Sequence, residues 1–539
     1  MNLVSVFTYM ILMERKKAVM NIKQLYVSDW LVKYSTKDFE EMFTYDADDL
    51  GMRLEGENIV LKCWSPFAAQ MELNIYLSGE ENSINVERIQ MVRREKGIWQ
   101  IALEASGYLN KYYDFTIVFE NIPKNGSKAE VTACDPYARA VGVNGKKAMF
   151  IDLTETNPEG WDTDRNPNQS MAWNDMVIYE LHIRDLSVDL KSGIKNRGKF
   201  LGLIENGTYI TDGMEKFKTG LDHIKDLGIT HLHLLPFYDY GSIDESQSYD
   251  ENKYNWGYDP VNYNVPEGSY STNPYDGDVR IRELKQTICQ LHQNGISVVM
   301  DVVYNHTYNE EFCFNKMVPG YFYRIGADGV LSNGSECGND TASERSMVRK
   351  YIVDSVLYWA KEYHIDGFRF DLLGLLDTET MQEIRKGLDN IRPNILIYGE
   401  GWKLQTVLTK KNMVLATQEH VSEMDRVAMF SDNLRDAIKG SVFEETEKGY
   451  ISGNQDCVEA IKISLMGLPE WADYPEQVIN YTSCHDNYTL FDKIALCNKE
   501  IDMEERIRQN KLAIAIVMLS QGIPLLHAGE ELLRTKMNQ

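Results

Sequence analysis

The sequence predicts an α/β fold, a (β/α)8 (TIM) barrel, preceded by a small all-β sandwich. Short stretches that alternate apolar and polar residues fill the first third of the chain, and strands alternate with helices from Met176 onward. Polar side chains follow several of those strands, where a barrel places its functional groups. The 539 residues exceed what one hydrophobic core holds and indicate two or three domains.

The predicted sandwich rests on period-two alternation between about residues 52 and 118. Residues 59–64 and 71–77 alternate in this way, and turn-forming residues at 78–82 separate them. We predict a tail at 1–25, the sandwich module at 26–160, a polar linker at 161–175 and the barrel at 176–539. Trp64 and Trp99 of the module are candidates for stacking on sugar rings, with core packing an equal alternative.

The predicted barrel rests on a repeating helix–strand unit. Ile281, Leu284, Ile288 and Leu291 form one apolar helix face, Gly295 ends that helix, and residues 296–300 read as a buried parallel strand. Eight strands are predicted, at 177–183, 229–235, 296–300, 367–370, 395–398, 427–430, 478–482 and 523–526.

Two further helices support the same unit. Phe217, Leu221 and Ile224 predict a helix before Gly228, and Thr341 with Glu344 resembles a capping box that opens another helix. A doubly wound sheet is the competing architecture. No glycine-rich phosphate loop follows any of the predicted strands, which favours the barrel.

The composition disfavours several classes of binding partner. The formal net charge of −25 disfavours nucleic acid, anionic membranes and polyphosphates, and no apolar run reaches the length of a membrane span. The eight cysteines form no CxxC pair and indicate reduced thiols. We predict a cytoplasmic protein with an uncharged substrate, and we leave open whether Met1 or Met20 is the true start.

Carboxylates recur at the predicted strand ends. Asp301, Asp371, Glu400 and Asp486 end or follow four different strands, so a barrel places them at one mouth. Arg369 alternates with Asp371 along one strand and therefore points to the same side. A glycosidase needs two carboxylates that flank the bond it cleaves. A single Asp at a strand end is usually a cap or an ion-pair partner, but the group as a whole favours catalysis.

These segments resemble the conserved regions of the alpha-amylase superfamily of glycoside hydrolases, and in particular type I pullulanases. The similar segments are DVVYNH (301–306), GFRFD (367–371), GEGW (399–402), HDN (485–487), YNWGYDP (254–260), YELHIRD (179–185) and GIPLLHAGEE (522–531). They follow one another in the family's order. The module resembles the starch-binding module that precedes the barrel in debranching enzymes.

The resemblance implies roles for individual residues. It implies that Asp371 is the nucleophile, Glu400 the acid/base and Asp486 a carboxylate that grips ring hydroxyls and helps distort the sugar. It also implies substrate-binding positions at Tyr258, Asp301, His306, Arg369, Trp402, His485 and Asn487. The implied partner is an α-glucan, cleaved at α-1,6 branch points with retention. No cofactor or metal is predicted; carboxylate-rich loops leave Ca²⁺ possible, although no EF-hand spacing occurs.

The sequence also departs from the family pattern. Lys403 and Cys484 stand where type I pullulanases commonly carry an acid and a base, and residues after the last predicted strand do not supply the family's eighth helix and C-terminal sandwich. We therefore expect a truncated barrel that lacks its last helix, of low stability and activity. An isoamylase-type or α-1,4-cleaving enzyme, and a glucan-binding protein without turnover, remain alternatives.

Overall fold

A computed structural model of the protein describes residues 28–122, 127–247 and 254–536. The predicted tail at 1–25 and the alternative start at Met20 lie outside the described residues. The module begins with two short helices and continues mainly as strands. Its elements are α1 Ser28–Tyr34, α2 Lys37–Phe43, β1 Gly51–Glu55, β2 Asn58–Trp64, β3 Gln70–Tyr76, β4 Asn85–Gln90, β5 Val92–Arg93, β6 Ile98–Glu104, α3 Ala105–Tyr108, β7 Tyr112–Ile122, β8 Ser127–Ala133 and β9 Ala148–Met149.

The module is an antiparallel sandwich in the part of the chain described. One sheet has the order β1-β2-β6-β5, and the other has the order β4-β3-β7-β8, with β9 beside β7. Ile59, Leu61 and Cys63 of β2 are buried while the residues between them are half-exposed, as strand alternation requires. The period-two pattern therefore fixed which face of β2 lies in the core.

Trp64 and Trp99 are both buried, at 2% and 4% exposure. The Trp64 ring packs against Tyr321 of the following domain, with centroids 5.0 Å apart, and the Trp99 indole N–H donates to the carbonyl of Ser65. Neither ring offers a free face to a sugar, so core packing is the alternative that the structure supports.

The second domain carries the remaining strands and helices. They are β10 Ile178–Leu181, α4 Ile183–Ser187, β11 Tyr209–Asp212, β12 Glu215–Lys218, α5 Gly220–Leu227, β13 His231–Leu234, β14 Tyr238–Tyr240, β15 Pro260–Pro266, α6 Gly277–Gln293, β16 Ser297–Val302, α7 Cys313–Met317, α8 Ser346–Glu362, β17 Gly367–Phe370, α9 Thr378–Asp389, β18 Leu396–Gly399, β19 Ala428–Phe430, α10 Asp432–Lys439, α11 Val458–Leu465, β20 Val478–Asn480, α12 Leu490–Cys497, α13 Met503–Leu519 and β21 Ile523–His527.

Eight parallel strands in the described residues close a barrel in the order β10-β13-β16-β17-β18-β19-β20-β21. Ile178 of β10 pairs with His231 of β13 on one side and with Leu525 of β21 on the other, which closes the ring. The predicted fold class is confirmed, and each of the eight predicted strands overlaps a barrel strand. Parallel strands buried on both faces give continuous apolar runs, which is why they were visible in the sequence.

Two local predictions are wrong. Phe217 lies in β12 of a hairpin and is 50% exposed, because α5 begins only at Gly220, which has a positive φ of 55°. Thr341 and Glu344 form no capping box, because α8 begins at Ser346. Glu344 instead pairs with the buried Arg324 at 2.9 Å. In both cases tertiary contacts override a local sequence pattern.

The stretch predicted as a polar linker is packed against the N-terminal end of the barrel. Asp164 accepts hydrogen bonds from the His292 and His364 rings at 2.9 and 2.8 Å. The other ring nitrogen of His292 lies 2.8 Å from Asp366, which precedes β17. Burial alone lowers the pKa of His292, but Asp366 and Asp164 more than offset it and raise that pKa to about 9.

We expect His292→Gln to destabilise the protein by about 2 kcal/mol at pH 6, since it removes a cation shared by two buried carboxylates and leaves Asp164 to His364 and Asp366 to Arg392. A histidine whose pKa is higher in the folded than in the unfolded protein stabilises the folded state. The stabilisation is complete below the unfolded pKa of about 6.5 and is lost as the pH rises through the folded pKa. The difference in unfolding free energy between His292→Gln and the unmodified protein should therefore shrink above about pH 9.

Denaturant unfolding at pH 6 and at a pH above about 9 measures this difference in unfolding free energy. His420→Gln is the matched control, because the His420 ring bonds a threonine hydroxyl rather than a carboxylate. A His292→Gln effect that is equal at both pH values would contradict the ion-pair explanation.

Candidate active site

Neighbouring barrel strands bring the predicted acids together. Asp301 of β16 is in register with Arg369 of β17, and Arg369 is in register with Tyr398 of β18. Asp371 follows β17 and Glu400 follows β18, at the same end of the barrel. The parallel register therefore converts three separate sequence segments into one cluster.

The Arg369 guanidinium forms the centre of that cluster. One terminal nitrogen lies 2.9 Å from both Asp301 Oδ1 and Asp371 Oδ1, and the other lies 3.1 Å from Glu400 Oε1. Arg369 is 1% exposed, and although burial disfavours its charge, the surrounding carboxylates raise its pKa further above its ordinary range. A buried, charged guanidinium thus spans the two predicted catalytic carboxylates.

Asp371 is held from two sides. Its Oδ1 accepts from Arg369, and its Oδ2 accepts from the Asn305 amide at 2.8 Å. The next residue, Leu372, has a positive φ of 40°, a conformation that costs energy for a branched side chain. That conformation directs the Leu372 N–H to Glu400 Oε2 at 2.9 Å. The strained turn therefore links the positions of the two carboxyl groups.

Glu400 is a carboxyl group whose pKa is shifted from its ordinary value. Burial raises its pKa, Arg369 lowers it, and the negative charges of Asp371 and Asp486 raise it again, to about 7. A carboxyl with this pKa is protonated in a useful fraction near neutral pH and can donate a proton. Asp371 accepts from two donors and lies across the same guanidinium from Glu400.

Tyr258 and His485 lie next to this cluster, with the Tyr258 hydroxyl 3.4 Å from an Arg369 nitrogen. The Tyr258 ring stacks on the His485 ring with centroids 5.0 Å apart, and its hydroxyl donates to Asp301 Oδ2 at 2.7 Å. Burial lowers the pKa of His485, but Asp486 and Glu180 outweigh burial and raise it to about 9. His485 is therefore a cation that lies beside the 42%-exposed side chain of Asp486.

Glu180 lies in the family-like segment 179–185 but is not among the predicted site residues. Glu180 is fully buried in β10 and accepts from both the backbone N–H and the ring Nδ1 of His485, at 2.7 and 2.9 Å. The charge of His485 lowers the pKa of the Glu180 carboxyl below its ordinary range, although burial alone would raise it. A single charged residue in an otherwise apolar strand was the signal that could have identified it.

Three other predicted site residues have different surroundings. Both ring nitrogens of His306 bond protein atoms, Nδ1 at 2.6 Å from Asn305 Oδ1 and Nε2 at 2.8 Å from the Tyr258 carbonyl. His306 therefore orients its neighbours rather than facing the cleft. Asn487 is exposed, with a positive φ of 57°, and Trp402 lies half-buried beside the Arg435 guanidinium.

Beside Glu400 opens a cleft of about 390 Å³. Its wall combines charged groups with apolar and aromatic ones, including Phe443, which is 86% exposed. Apolar faces with a few placed polar groups are typical of a ligand site. The lining residues are Glu400, Trp402, Lys403, Leu404, Gln418, Asp432, Arg435, Lys439, Val442, Phe443, Tyr481, Cys484, Asp486 and Asn487.

One acidic cluster outside the cleft has the composition of a cation site. Asp239, Glu245 and Glu267 are buried and place carboxylate oxygens within 4.8 Å of one another. The Arg280 guanidinium already lies against two of them, at 3.2 Å from Asp239 and 2.8 Å from Glu245. This arginine accounts for the cluster as an internal ion pair.

Comparison with known proteins agrees with this geometry. The alpha amylase catalytic domain model matches residues 214–321 and 331–538, and carbohydrate-binding module 48, the isoamylase N-terminal domain, matches residues 49–138. The pullulanase of Bacillus subtilis (strain 168) is 39% identical over 93% of this chain, and Pullulanase 1, chloroplastic, of Arabidopsis thaliana is 31% identical over 92%. The chain therefore belongs to the alpha-amylase family and, within it, to the pullulanases.

Solved pullulanase structures are similar to this chain over nearly its whole length. A pullulanase from Paenibacillus barengoltzii, crystallised with maltohexaose and alpha-cyclodextrin, is 45% identical and superposes with a TM-score of 0.89 over 95% of this chain and 79% of that one. The chain spans 67% of the length of the Bacillus subtilis relative, 60% of the Arabidopsis thaliana relative and 41% of Pullulanase A of Streptococcus pneumoniae.

We expect Asp371→Asn to lower the pKa of Glu400 below its value of about 7, because the charge of Asp371 is one of the causes that raise it. Titration of a ¹³C-labelled Glu400 carboxyl by NMR measures this shift without any need for turnover. Asp432→Asn is the matched control, since Asp432 lines the same cleft. An unchanged Glu400 pKa in Asp371→Asn would show that the two carboxyls are not electrostatically coupled.

Proposed function

We propose that the chain is a retaining glycoside hydrolase that cleaves α-1,6-glucosidic branch linkages in pullulan, starch or glycogen-derived dextrins. The observation that carries this proposal is the pair of carboxyls on one guanidinium, Asp371 at 2.9 Å and Glu400 at 3.1 Å from Arg369. Retaining enzymes place their two carboxyl groups about 5–5.5 Å apart, a separation that one guanidinium can span.

In the first step, an Asp371 oxygen attacks the anomeric carbon while the bond to the leaving oxygen breaks. Glu400 gives its proton to that oxygen, and the shortened glucan departs with a new hydroxyl. A covalent glycosyl–Asp371 ester remains. In the second step, Glu400 takes a proton from water, whose oxygen attacks the same carbon and releases Asp371.

The surrounding residues serve this sequence of steps. Arg369 keeps Asp371 ionised when its carboxylate must act as nucleophile. Tyr258 offers its ring to the sugar on the nucleophile side. Asp486, which lines the cleft, and the neighbouring His485 are assigned to the binding of ring hydroxyls. Asp301 and His306 position Arg369 and Tyr258 through direct hydrogen bonds.

The cleft next to Glu400 is assigned to the leaving group. A general acid lies beside the oxygen that it protonates, so the leaving glucan extends from Glu400 toward Trp402 and Phe443. A sugar ring has an apolar face of C–H groups that stacks on aromatic rings. The large exposed side chain of Phe443 is suited to that contact, and Asn487, which also lines the cleft, is assigned to a sugar hydroxyl.

The choice of the α-1,6 linkage rests on the relatives, which carry the name pullulanase, and on the segment at 254–260. We retain as proposals the domain division at 26–160 and 176–539 and the glucan-binding role of the module. All eight cysteines, each within the described ranges, are free thiols, which supports a cytoplasmic location.

Product analysis tests the reaction class. Release of maltotriose from pullulan supports α-1,6 cleavage, whereas short oligomers from amylose would indicate an α-1,4-cleaving enzyme. Binding of glycogen without new reducing ends would indicate a glucan-binding protein and would overturn the proposal.

Two variants test the assigned roles. We expect Asp371→Ala to reduce kcat on pullulan by several orders of magnitude, because no nucleophile remains. Glu400→Gln should lose as much on pullulan but far less on maltotriosyl fluoride, since fluoride departs without a proton. Equal losses on both substrates would contradict the role of Glu400 as acid, and circular dichroism checks that both variants stay folded.

We expect kcat/KM on pullulan to fall as pH rises through about 7, because Glu400 must be protonated to act and loses its proton there. The pH–rate profile with pullulan measures this limb. Maltotriosyl fluoride serves as the control substrate, for which formation of the glycosyl ester should lack the alkaline limb. A pullulan profile that stays flat to pH 9 would identify a different acid.

A further inference from the structure

We propose that Glu180, Cys484 and His485 form a site for a thiophilic divalent cation of the zinc class, and that the bound cation inhibits the proposed hydrolysis. The three residues place a carboxylate oxygen, a thiol sulfur and a ring nitrogen within 4.8 Å of one another. Sulfur, imidazole nitrogen and carboxylate oxygen together are the donor set that zinc prefers in proteins.

The spacing suits a tetrahedral ion. Zinc lies at about 2.0–2.3 Å from such donors, so two ligand atoms of one ion are roughly 3.3–3.7 Å apart. His485 Nδ1 and Glu180 Oε1 are 2.9 Å apart and share a hydrogen bond. An ion therefore enters by replacing the proton between these two atoms and the thiol proton of Cys484, with small movements of the side chains.

A fourth donor lies next to the same carboxylate. His527 at the end of β21 is 4% exposed, and its Nε2 is 4.0 Å from Glu180 Oε2. Its other ring nitrogen is buried without a hydrogen-bond partner among the described residues. The buried ring of His527 therefore adds a nitrogen donor near the Glu180 carboxylate, from which a small movement reaches the ion.

The charged groups around the site act in both directions. Glu180 and Asp486 favour a cation, while the positive charges of Arg369, Lys439 and Lys536 lie near the same residues and oppose it. Cys484 is half-buried and lines the cleft, which gives the ion a route from solvent. We therefore expect reversible binding that the cell's free metal or a chelator controls, rather than a permanently held structural ion.

Binding would inhibit through His485. The ion takes the ring nitrogen that now bonds Glu180 and so rotates or withdraws the ring on which Tyr258 stacks. It also turns the charged His485 ring, whose Nε2 lies 3.5 Å from Asp486 Oδ1, into a neutral metal-bound ring, so Asp486 loses the cation beside it. Both effects act on groups that the proposed function places around the cleaved bond.

Cobalt(II) as a spectroscopic probe tests the site directly. Added Co²⁺ should produce the sulfur-to-cobalt charge-transfer band in the near ultraviolet, and Cys484→Ser should abolish it. Cys457→Ser, which changes a half-buried cysteine outside the cleft, should keep the band. His527→Gln should weaken Co²⁺ binding by at least about tenfold. The same band should form in Glu400→Gln, so the metal site can be judged even if the proposed hydrolysis fails.

A second measurement uses the unmodified protein. Zn²⁺ should slow alkylation of Cys484 by iodoacetamide, as mapped on peptides, and should leave Cys457 unaffected. Zn²⁺ should also reduce pullulan cleavage at least tenfold at saturation, with full recovery on addition of a chelator. Zinc inhibition and a cobalt band that persist unchanged in Cys484→Ser, or alkylation of Cys484 that ignores Zn²⁺, would overturn the proposal.

Discussion

The structure depends on one buried cation, the guanidinium of Arg369. It contacts Asp301, Asp371 and Glu400 on three neighbouring strands at distances of 2.9, 2.9 and 3.1 Å. Three carboxyl groups this close to one another repel when ionised, and burial makes each charge costlier still. Burial raises the pKa of Glu400, Arg369 lowers it, and the charges of Asp371 and Asp486 raise it again. The chemistry therefore follows from an unequal distribution of charge around one arginine.

A ring of polar residues extends this arrangement around the barrel mouth. His233 bonds Asp301, Asp301 accepts from Tyr258, Tyr258 stacks on His485, and His485 bonds Glu180. These contacts join β13, β16 and β10 with the loops before β15 and after β20, so the mouth is fixed by side chains as well as by strand pairing. A pre-arranged site of this kind does not have to reorganise as charge develops in the reaction.

The opposite end of the barrel is fixed by a comparable interaction. His292 between Asp164 and Asp366 ties the segment after the module to the base of the barrel. The module packs on the barrel through buried aromatic contacts such as Trp64 with Tyr321. The two described domains therefore form a continuous structure in which the chain between them is an integral part of the core.

The sequence by itself determined the fold class, the eight barrel strands and the grouping of Asp301, Arg369, Asp371, Glu400 and Asp486 at one mouth. These features follow from periodicity and from the rule that parallel strands present their carboxyl ends at one edge, and both are local properties of the chain. Only the tertiary structure decided that Glu180 supports His485, that both nitrogens of His306 are already bonded, and that Phe443 stands exposed beside Glu400. It also decided that residues 161–175 are packed and that Trp64 lies in the core. Each of these depends on contacts between residues far apart in the chain, whose distances and burial no local pattern records.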